Sequence, residues 1–345
     1  MIENLRLHGF RCFNRLEIDH LSDINLIAGK NNSGKTSLLE AVFLLGGAGN
    51  ARMASDPHVV RGLELGTISE SGWNVWDQLF NRLDTRSAIE IAGTHSNYGN
   101  LELQISSSWQ PQTEVPLDRT EIDYSDDCTL TFTYFDNSDV GTDSHIHIKG
   151  DKFEIEQPTH GSKFPSIILL PRLRRSLHDD ASRLATLRRQ KQNDILSSAM
   201  KAVEPRLESI EVIYSNGSPM IWGDIGLSEL VPLPSMGEGM TRIASLVLAI
   251  GTTPNGLVLV DEIENGFHHS VLADVWRAVD EAAGLFHVQV FATTHSLECV
   301  ESAHESLSAE RFSLHRLEFL DGISRCVTYE HESIDAAVRH GLDVR

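Results

Sequence analysis

Cysteine is scarce and poorly placed for cross-linking. Cys12, Cys128, Cys299 and Cys326 are scattered over 345 residues and form no C-x-x-C pair, so neither a disulfide framework nor a zinc site is expected and reduced thiols are the default. No run of 18 consecutive apolar residues occurs, and a charge arrives as early as Glu3. Neither a membrane span nor a secretory leader is therefore expected. Basic residues are in deficit, 29 Lys and Arg against 49 Asp and Glu for a net charge of −20, which argues against indiscriminate adhesion to nucleic acid over the whole surface. Internal repeats and low-complexity tracts are absent as well. What remains is a 41% hydrophobic chain, long enough to bury a good core in one large domain with two lobes and composed like a soluble, cytoplasmic protein.

The most informative stretch present is Gly29 to Thr36, G-K-N-N-S-G-K-T. Asp23 to Ala28 reads as a short strand before it, and Ser37 to Leu45 carries the apolar spacing of a helix after it. Strand, glycine loop and helix make a phosphate-binding loop, because backbone N–H groups and the positive end of the helix converge there on anionic oxygens. The candidate cradle is Gly29, Asn31, Asn32, Ser33, Gly34, Lys35, Thr36 and Ser37. Lys35 would reach the β- and γ-phosphates of ATP, and the Thr36 hydroxyl would take a Mg²⁺ coordination position.

A partner motif follows far downstream, where Gly256 to Glu262 reads G-L-V-L-V-D-E and puts Asp261 226 residues beyond Lys35. An apolar strand running into two carboxylates is a Walker B pattern: Asp261 would hold the metal, and Glu262 would be the base that polarises water. The gap is far longer than in a compact hexameric motor module. Between the motifs, S-M-G-E-G-M (235–240) opens into the apolar helix T-R-I-A-S-L-V-L-A-I, so Ser235 and Gly237 mark a second anion-accepting helix start. After Walker B, V-Q-V-F-A-T-T-H-S (288–296) is another buried strand with Thr294, His295 and Ser296 at its carboxyl end, where open α/β sheets place ligand contacts.

In this order the motifs resemble the ABC-type ATPases of the RecF, SMC and OLD branch. The opening strands with Phe10-Arg11 and the closing A-A-V-R-H-G-L-D-V-R are similar to that branch too, whereas the middle matches loosely. The resemblance implies an α/β P-loop NTPase fold of ABC type, with a central mostly parallel sheet, an antiparallel β subdomain and a helical lobe. It also implies a homodimer closed around ATP, in which Ser235, Gly237 and Gly239 of one subunit cap the γ-phosphate held by the loop of the other. His295 becomes the switch histidine near that phosphate, and Arg11 a residue approaching the nucleotide. His268, His269 and Glu264 fall in the loop that makes dimer contacts in the family, although a solvated helix start and a surface acid describe them equally well. No glutamine occupies an obvious strand-end position for a Q-loop; Gln78 is the candidate, and the coupling element is unassigned.

The domain organisation expected is one ABC-type ATPase domain over 1–345. Residues 1–50 and 226–345 form the nucleotide-binding lobe, 51–165 an antiparallel β insertion and 166–225 a largely helical lobe. That length leaves no room for an SMC-type coiled coil, and the 49 residues after Ser296 are too few for a Toprim nuclease domain. One local charge excess stands out: nine basic residues against four acidic ones between Arg172 and Arg206. This is either a solvated amphipathic face or a docking surface for nucleic acid or an acidic partner. Three functions follow. The preferred one is a Mg²⁺-dependent ATPase controlling a separate effector, as in bacterial defence (antiviral) or toxin-linked systems. The others are a RecF-like DNA-binding repair or recombination ATPase and a nucleotide-bound scaffold without hydrolysis. A transporter cassette fits less well, because the signature is not L-S-G-G-Q.

Overall fold

The structure is a computed structural model and describes residues 1–55, 75–108, 128–137, 141–149, 152–158, 164–170, 177–192, 194–215, 217–320 and 322–339. The chain divides into two compact units. The first comprises Met1–Leu21, Asn32–Phe164 and Leu317–Val327; the second comprises Ser22–Asn31, Pro165–Arg316 and Thr328–Arg345. The boundary falls inside the phosphate loop.

In the first unit a seven-stranded antiparallel sheet has the order β2-β1-β4-β5-β6-β7-β8. Its strands are β1 (Ile2–Phe10), β2 (Phe13–Ile18), β4 (Ile89–His95), β5 (Gly99–Ser107), β6 (Cys128–Phe135), β7 (Thr142–Lys149) and β8 (Lys152–Glu156). Strict alternation makes this sheet. In β6, C-T-L-T-F-T-Y-F, every second side chain is buried, as expected where one face packs and the other is more open. Helix α1 (Lys35–Gly46) lies against β4 and β5, and with Leu38, Leu39, Val42 and Leu45 buried it supplies the apolar layer.

The second unit is built on strands in the order β15-β3-β14-β13-β9, namely β3 (Ile24–Ala28), β9 (Ser166–Leu169), β13 (Leu257–Val260), β14 (Gln289–Thr294) and the first part of β15 (Phe312–Leu320), while the rest of β15 and most of β16 (Ile323–Tyr329) belong to the first unit. From β9 to β15 neighbouring strands run parallel. Strands β3, β13 and β14 are buried at every position, the continuous pattern that a strand covered on both faces requires. Helices α2 (Leu177–Arg189), α3 (Asp194–Val203), α4 (Glu238–Gly251), α5 (Leu272–Phe286), α6 (Leu297–Ser306) and α7 (His331–Arg339) complete the unit. Their apolar faces share one core with β3, β13 and β14.

Two readings of the sequence change. The helix after the phosphate loop starts at Lys35 rather than Ser37, because Gly34 is its N-cap. The stretch 166–225 is not largely helical: besides α2 and α3 it contains β9 and a hairpin of β10 (Ser209–Ser215) and β11 (Ser218–Asp224), extended by β12 (Val231–Pro232). The alternation in S-I-E-V-I-Y buries Ile210 beside exposed or half-buried neighbours, and the Asn-Gly pair at 216–217 is a tight-turn signal; both favour strands over a helix.

Candidate nucleotide-binding site

Gly34 sets the start of α1. It has φ 101°, and a Cβ there would lie 2.6 Å from Phe13 Cζ and 2.8 Å from Cys12 Sγ. Leu38 N–H donates to Gly34 O at 2.9 Å. Asn32, with φ 63°, adds a second left-handed residue. Such a succession turns backbone N–H groups inward into an anion-accepting concavity. The β1–β2 turn that packs on Gly34 carries Arg11. Its guanidinium is buried, with Nε 2.5 Å from Oε2 of Glu40, itself buried on α1. Arg11 also donates its backbone N–H to Leu79 O (2.7 Å) and reaches Gln78 O (3.5 Å). Arg11 and Gln78, singled out separately in the sequence, are therefore neighbours at that turn.

In the second unit, β3, β14 and β13 are adjacent and parallel, so their carboxyl ends open on one side of the sheet. Gly29–Asn31 leave from β3, Asp261 and Glu262 from β13, and His295 from β14. Thr293 is fully buried and ties two of these ends together: its hydroxyl donates to Asp261 Oδ1 (2.5 Å) and accepts from Glu262 N–H (2.9 Å). Glu262 has φ 50°, a conformation costing a non-glycine residue about 1–2 kcal/mol. Arg242, buried on α4, donates Nη2 to Asp261 O (3.0 Å) and to Glu262 O (2.5 Å), so both ends of the Glu262 peptide are held. The Glu262 carboxylate accepts from Asn265 Nδ2, and its Oε1 lies 3.9 Å from His295 Nδ1. Glu264 Oε1 is closer to that nitrogen, at 3.2 Å, and also accepts His295 N–H at 2.9 Å.

Ser235 is exposed in a 3₁₀ turn over Leu233–Met236, and Gly237 caps α4 with φ 112°. A Cβ on Gly237 would meet nothing within 4 Å, whereas one on Gly239 would lie 3.1 Å from Gly266 O. The start of α4 therefore rests on the loop after Walker B through Gly239 and presents Ser235 and Gly237 outward. His268 and His269 are exposed, their rings tilted by 36° with centroids 4.2 Å apart, and His268 Nδ1 accepts from Ser270 N–H to cap the next turn.

Residues 24–301 match the family model described as "AAA domain, putative AbiEii toxin, Type IV TA system". The chain belongs to this family. Its fold is that of an α/β P-loop NTPase of ABC type. A protein named ATP/GTP phosphatase from Helicobacter pylori (strain ATCC 700392 / 26695) is 23% identical over 338 residues, covering 91% of this chain and 90% of that one. The RecF DNA replication and repair protein of Idiomarina loihiensis is 53% identical over 45 residues, 13% of each chain. Among solved structures, an Smc head bound to the C-terminal winged-helix domain of ScpA aligns with a TM-score of 0.53 at 15% identity, covering 98% of this chain and 99% of that one. A head with an extended coiled coil, bound to the C-terminal domain of ScpA from Pyrococcus furiosus, gives 0.51 at 13% identity, covering 98% of each chain. These two likenesses concern the fold.

For a P-loop NTPase, Mg²⁺ is the ion to test against the donors. Asp261 offers a buried carboxylate with one oxygen already oriented by Thr293. Among the described residues no group of three His, Cys, Asp or Glu converges into a cage. One or two hard oxygen donors completed by phosphates and water suit Mg²⁺, which dehydrates reluctantly.

Sequence reading missed Arg242, Thr293 and Glu40. Arg242 and Thr293 act on backbone or through a single hydroxyl, and Glu40 sits in an apolar helix run without any motif. The basic segment is also less available than its charge count implies. Arg188 pairs with Glu211 at 2.8 Å and donates to Ile210 O, Arg183 pairs with Asp180, and Arg206 with Glu204. Arg189, Lys191 and Lys201 are exposed. Arg172, Arg174 and Arg175 lie outside the described residues, as does the end of the chain beyond Arg339. No described helix is long and apolar enough to cross a membrane.

Proposed function

We propose that this chain binds MgATP, closes as a homodimer around it and hydrolyses it, with the nucleotide state controlling a separate effector protein in a toxin-linked or defence setting. One observation carries the reading: Asp261 with Glu262 and His295 stand at the carboxyl ends of strands flanking and continuing from the β3 end that launches G-K-N-N-S-G-K-T. In this reading the loop amides of Gly29 to Gly34, with Asn31, Asn32 and Ser33, wrap the phosphates, and Lys35 neutralises the β- and γ-oxygens. Thr36 and Asp261 hold Mg²⁺, which when bound supplies positive charge to the phosphates. Ser37 sits behind the cradle, and Arg11, locked to Glu40, braces the turn against Gly34. Glu262 takes the proton of the attacking water, and His295 meets the γ-phosphate.

The outward placement of Ser235 and Gly237 supports their use in trans, capping a triphosphate held by the second copy. The family's description as a toxin of a type IV toxin–antitoxin system supports an effector-linked role, and the phosphatase named from Helicobacter pylori supports turnover. The test combines Glu262→Gln and mixed dimers. ATP should trap Glu262→Gln as a dimer with turnover lost, and Lys35→Ala mixed with Ser235→Arg should recover part of the activity that neither homodimer has. Turnover strictly proportional to protein concentration down to a monomeric regime refutes the dimer.

The second reading, ATP-dependent clamping on DNA, draws on the short RecF match and on the exposed Arg189 and Lys191. Salt-sensitive, ATP-dependent duplex binding that disappears in Arg189→Glu/Lys191→Glu would favour it. Arg188 is unsuitable for this test because it holds the β10–β11 hairpin.

A further inference from the structure

We infer that Glu264 is a positioning residue for His295, setting the tautomer and ring orientation with which that histidine faces the γ-phosphate. The inference rests on the role proposed above for His295. Its basis is the use of the carboxylate. The Glu264 side chain is only 10% exposed, against 48% for His295 and 37% for Glu262. Its Oε1 accepts the backbone N–H of His295 at 2.9 Å and stands 3.2 Å from Nδ1 of the same residue. Its Oε2 is buried without a hydrogen-bond partner among the described residues.

A carboxylate withdrawn from water and satisfied at one oxygen interacts strongly with the nearest proton, because burial removes the competing solvent. The ring atom nearest to Oε1 is Nδ1, at 3.2 Å, so the carboxylate favours a proton there. A proton held there makes Nε2 the acceptor nitrogen of the neutral ring. Glu262 Oε1, at 3.9 Å from Nδ1, is beyond hydrogen-bond reach and is left to act on water. The two acids after β13 thus divide the work: the half-exposed one faces the reaction and the buried one holds the histidine. Because Oε1 also takes the His295 backbone N–H, the loop after β14 is fixed to the loop after β13 at the same atom. The buried thiol of Cys299 on α6 is pushed up to about 12 by burial and then by the Glu264 charge.

The experiment compares Glu264→Gln and Glu264→Asp with the wild type, alone and in the His295→Ala background, measuring kcat and KM for ATP and recording the ¹⁵N shifts of the His295 ring. Expected are a KM within about twofold and a kcat about 10–100-fold lower for Glu264→Gln, the range seen when a residue orienting a functional histidine is lost. The ring should change from one Nδ1–H tautomer to a mixture, with partial recovery in Glu264→Asp. In the His295→Ala background Glu264→Gln should have no further effect, since residues acting as a unit are non-additive. An added loss of similar size there, or an unchanged tautomer, overturns the inference while leaving the role of His295 intact. A wild-type kcat in His295→Ala overturns that role and this inference with it.

Discussion

Replacing Gly34 by alanine tests how the phosphate loop is held. The residue has φ 101°, outside the range that a side chain tolerates, which costs about 1–2 kcal/mol. The new methyl also meets Phe13 Cζ at 2.6 Å, Cys12 Sγ at 2.8 Å and Phe13 Cε1 at 2.9 Å, against the 3.5–4.0 Å of an unstrained carbon contact. Phe13 is fully buried and cannot swing aside into solvent. Overpacking of this kind costs about 1–3 kcal/mol, so Gly34→Ala should lose about 2–5 kcal/mol in total. Urea unfolding followed by circular dichroism measures the loss.

The two contributions are separable. Adding Cys12→Ala and Phe13→Leu to Gly34→Ala relieves the contact and should return the packing share, but not the backbone share. Affinity for ATP should remain weak in the triple variant, because the amide directions depend on the backbone. Two outcomes would refute the reasoning: a Gly34→Ala protein with wild-type midpoint and ATP affinity, or a triple variant that regains both in full.

The Arg11–Glu40 pair is buried on both sides, so Arg11→Met alone should destabilise by about 3–5 kcal/mol through the stranded carboxylate, and Arg11→Met with Glu40→Leu by much less; a double-mutant cycle in urea checks it. Arg242→Met removes two donors from the Walker B carbonyls and should lower kcat at least tenfold, measured as steady-state turnover, with Arg242→Lys intermediate because an ammonium cannot reproduce the planar fork. Burial first, then the nearby chain terminus, pushes His95 down to about 4, while the unfolded chain titrates near the ordinary 6.5. The unfolded state therefore binds the proton first: the contribution of His95 to stability is complete above about pH 6.5 and is lost as the pH falls toward 4, at no more than about 1.4 kcal/mol per pH unit. His95→Phe, which keeps a ring against Tyr98 and Phe164, should flatten that slope in urea midpoints taken between pH 7.5 and 4.5.

Where burial follows a period, the elements could be read in advance. The continuous apolar runs of β3, β13 and β14 have no polar position to expose, and the alternation of β6 fits only a sheet with one packed face. The region 209–224 was harder. Its hairpin is short, follows two real helices, and carries Ile213 and Tyr214 exposed where a clean alternation would place polar residues. The basic count over 172–206 misled for a related reason: charge in sequence does not record that Arg188 bends back onto Ile210 and Glu211 of the neighbouring hairpin.

The candidate site divides the same way. Motifs reveal residues that present backbone or functional atoms at fixed spacing, as in G-K-N-N-S-G-K-T. They are silent about side chains that hold other residues' backbone. Glu262 illustrates the difference. A left-handed glutamate costs about 1–2 kcal/mol, and a hydrogen bond to a charged donor is worth about 1.5–3 kcal/mol, so the Arg242 contact to its carbonyl suffices to hold the conformation, with Thr293 fixing its N–H. Neither partner is required to lie at any set distance in sequence: Arg242 is 20 residues before Glu262 and Thr293 is 31 after it. Only the fold brings α4 and β14 to both sides of the same peptide. Such supports follow from topology, which is why they become visible once the order β3-β14-β13 is known and not before.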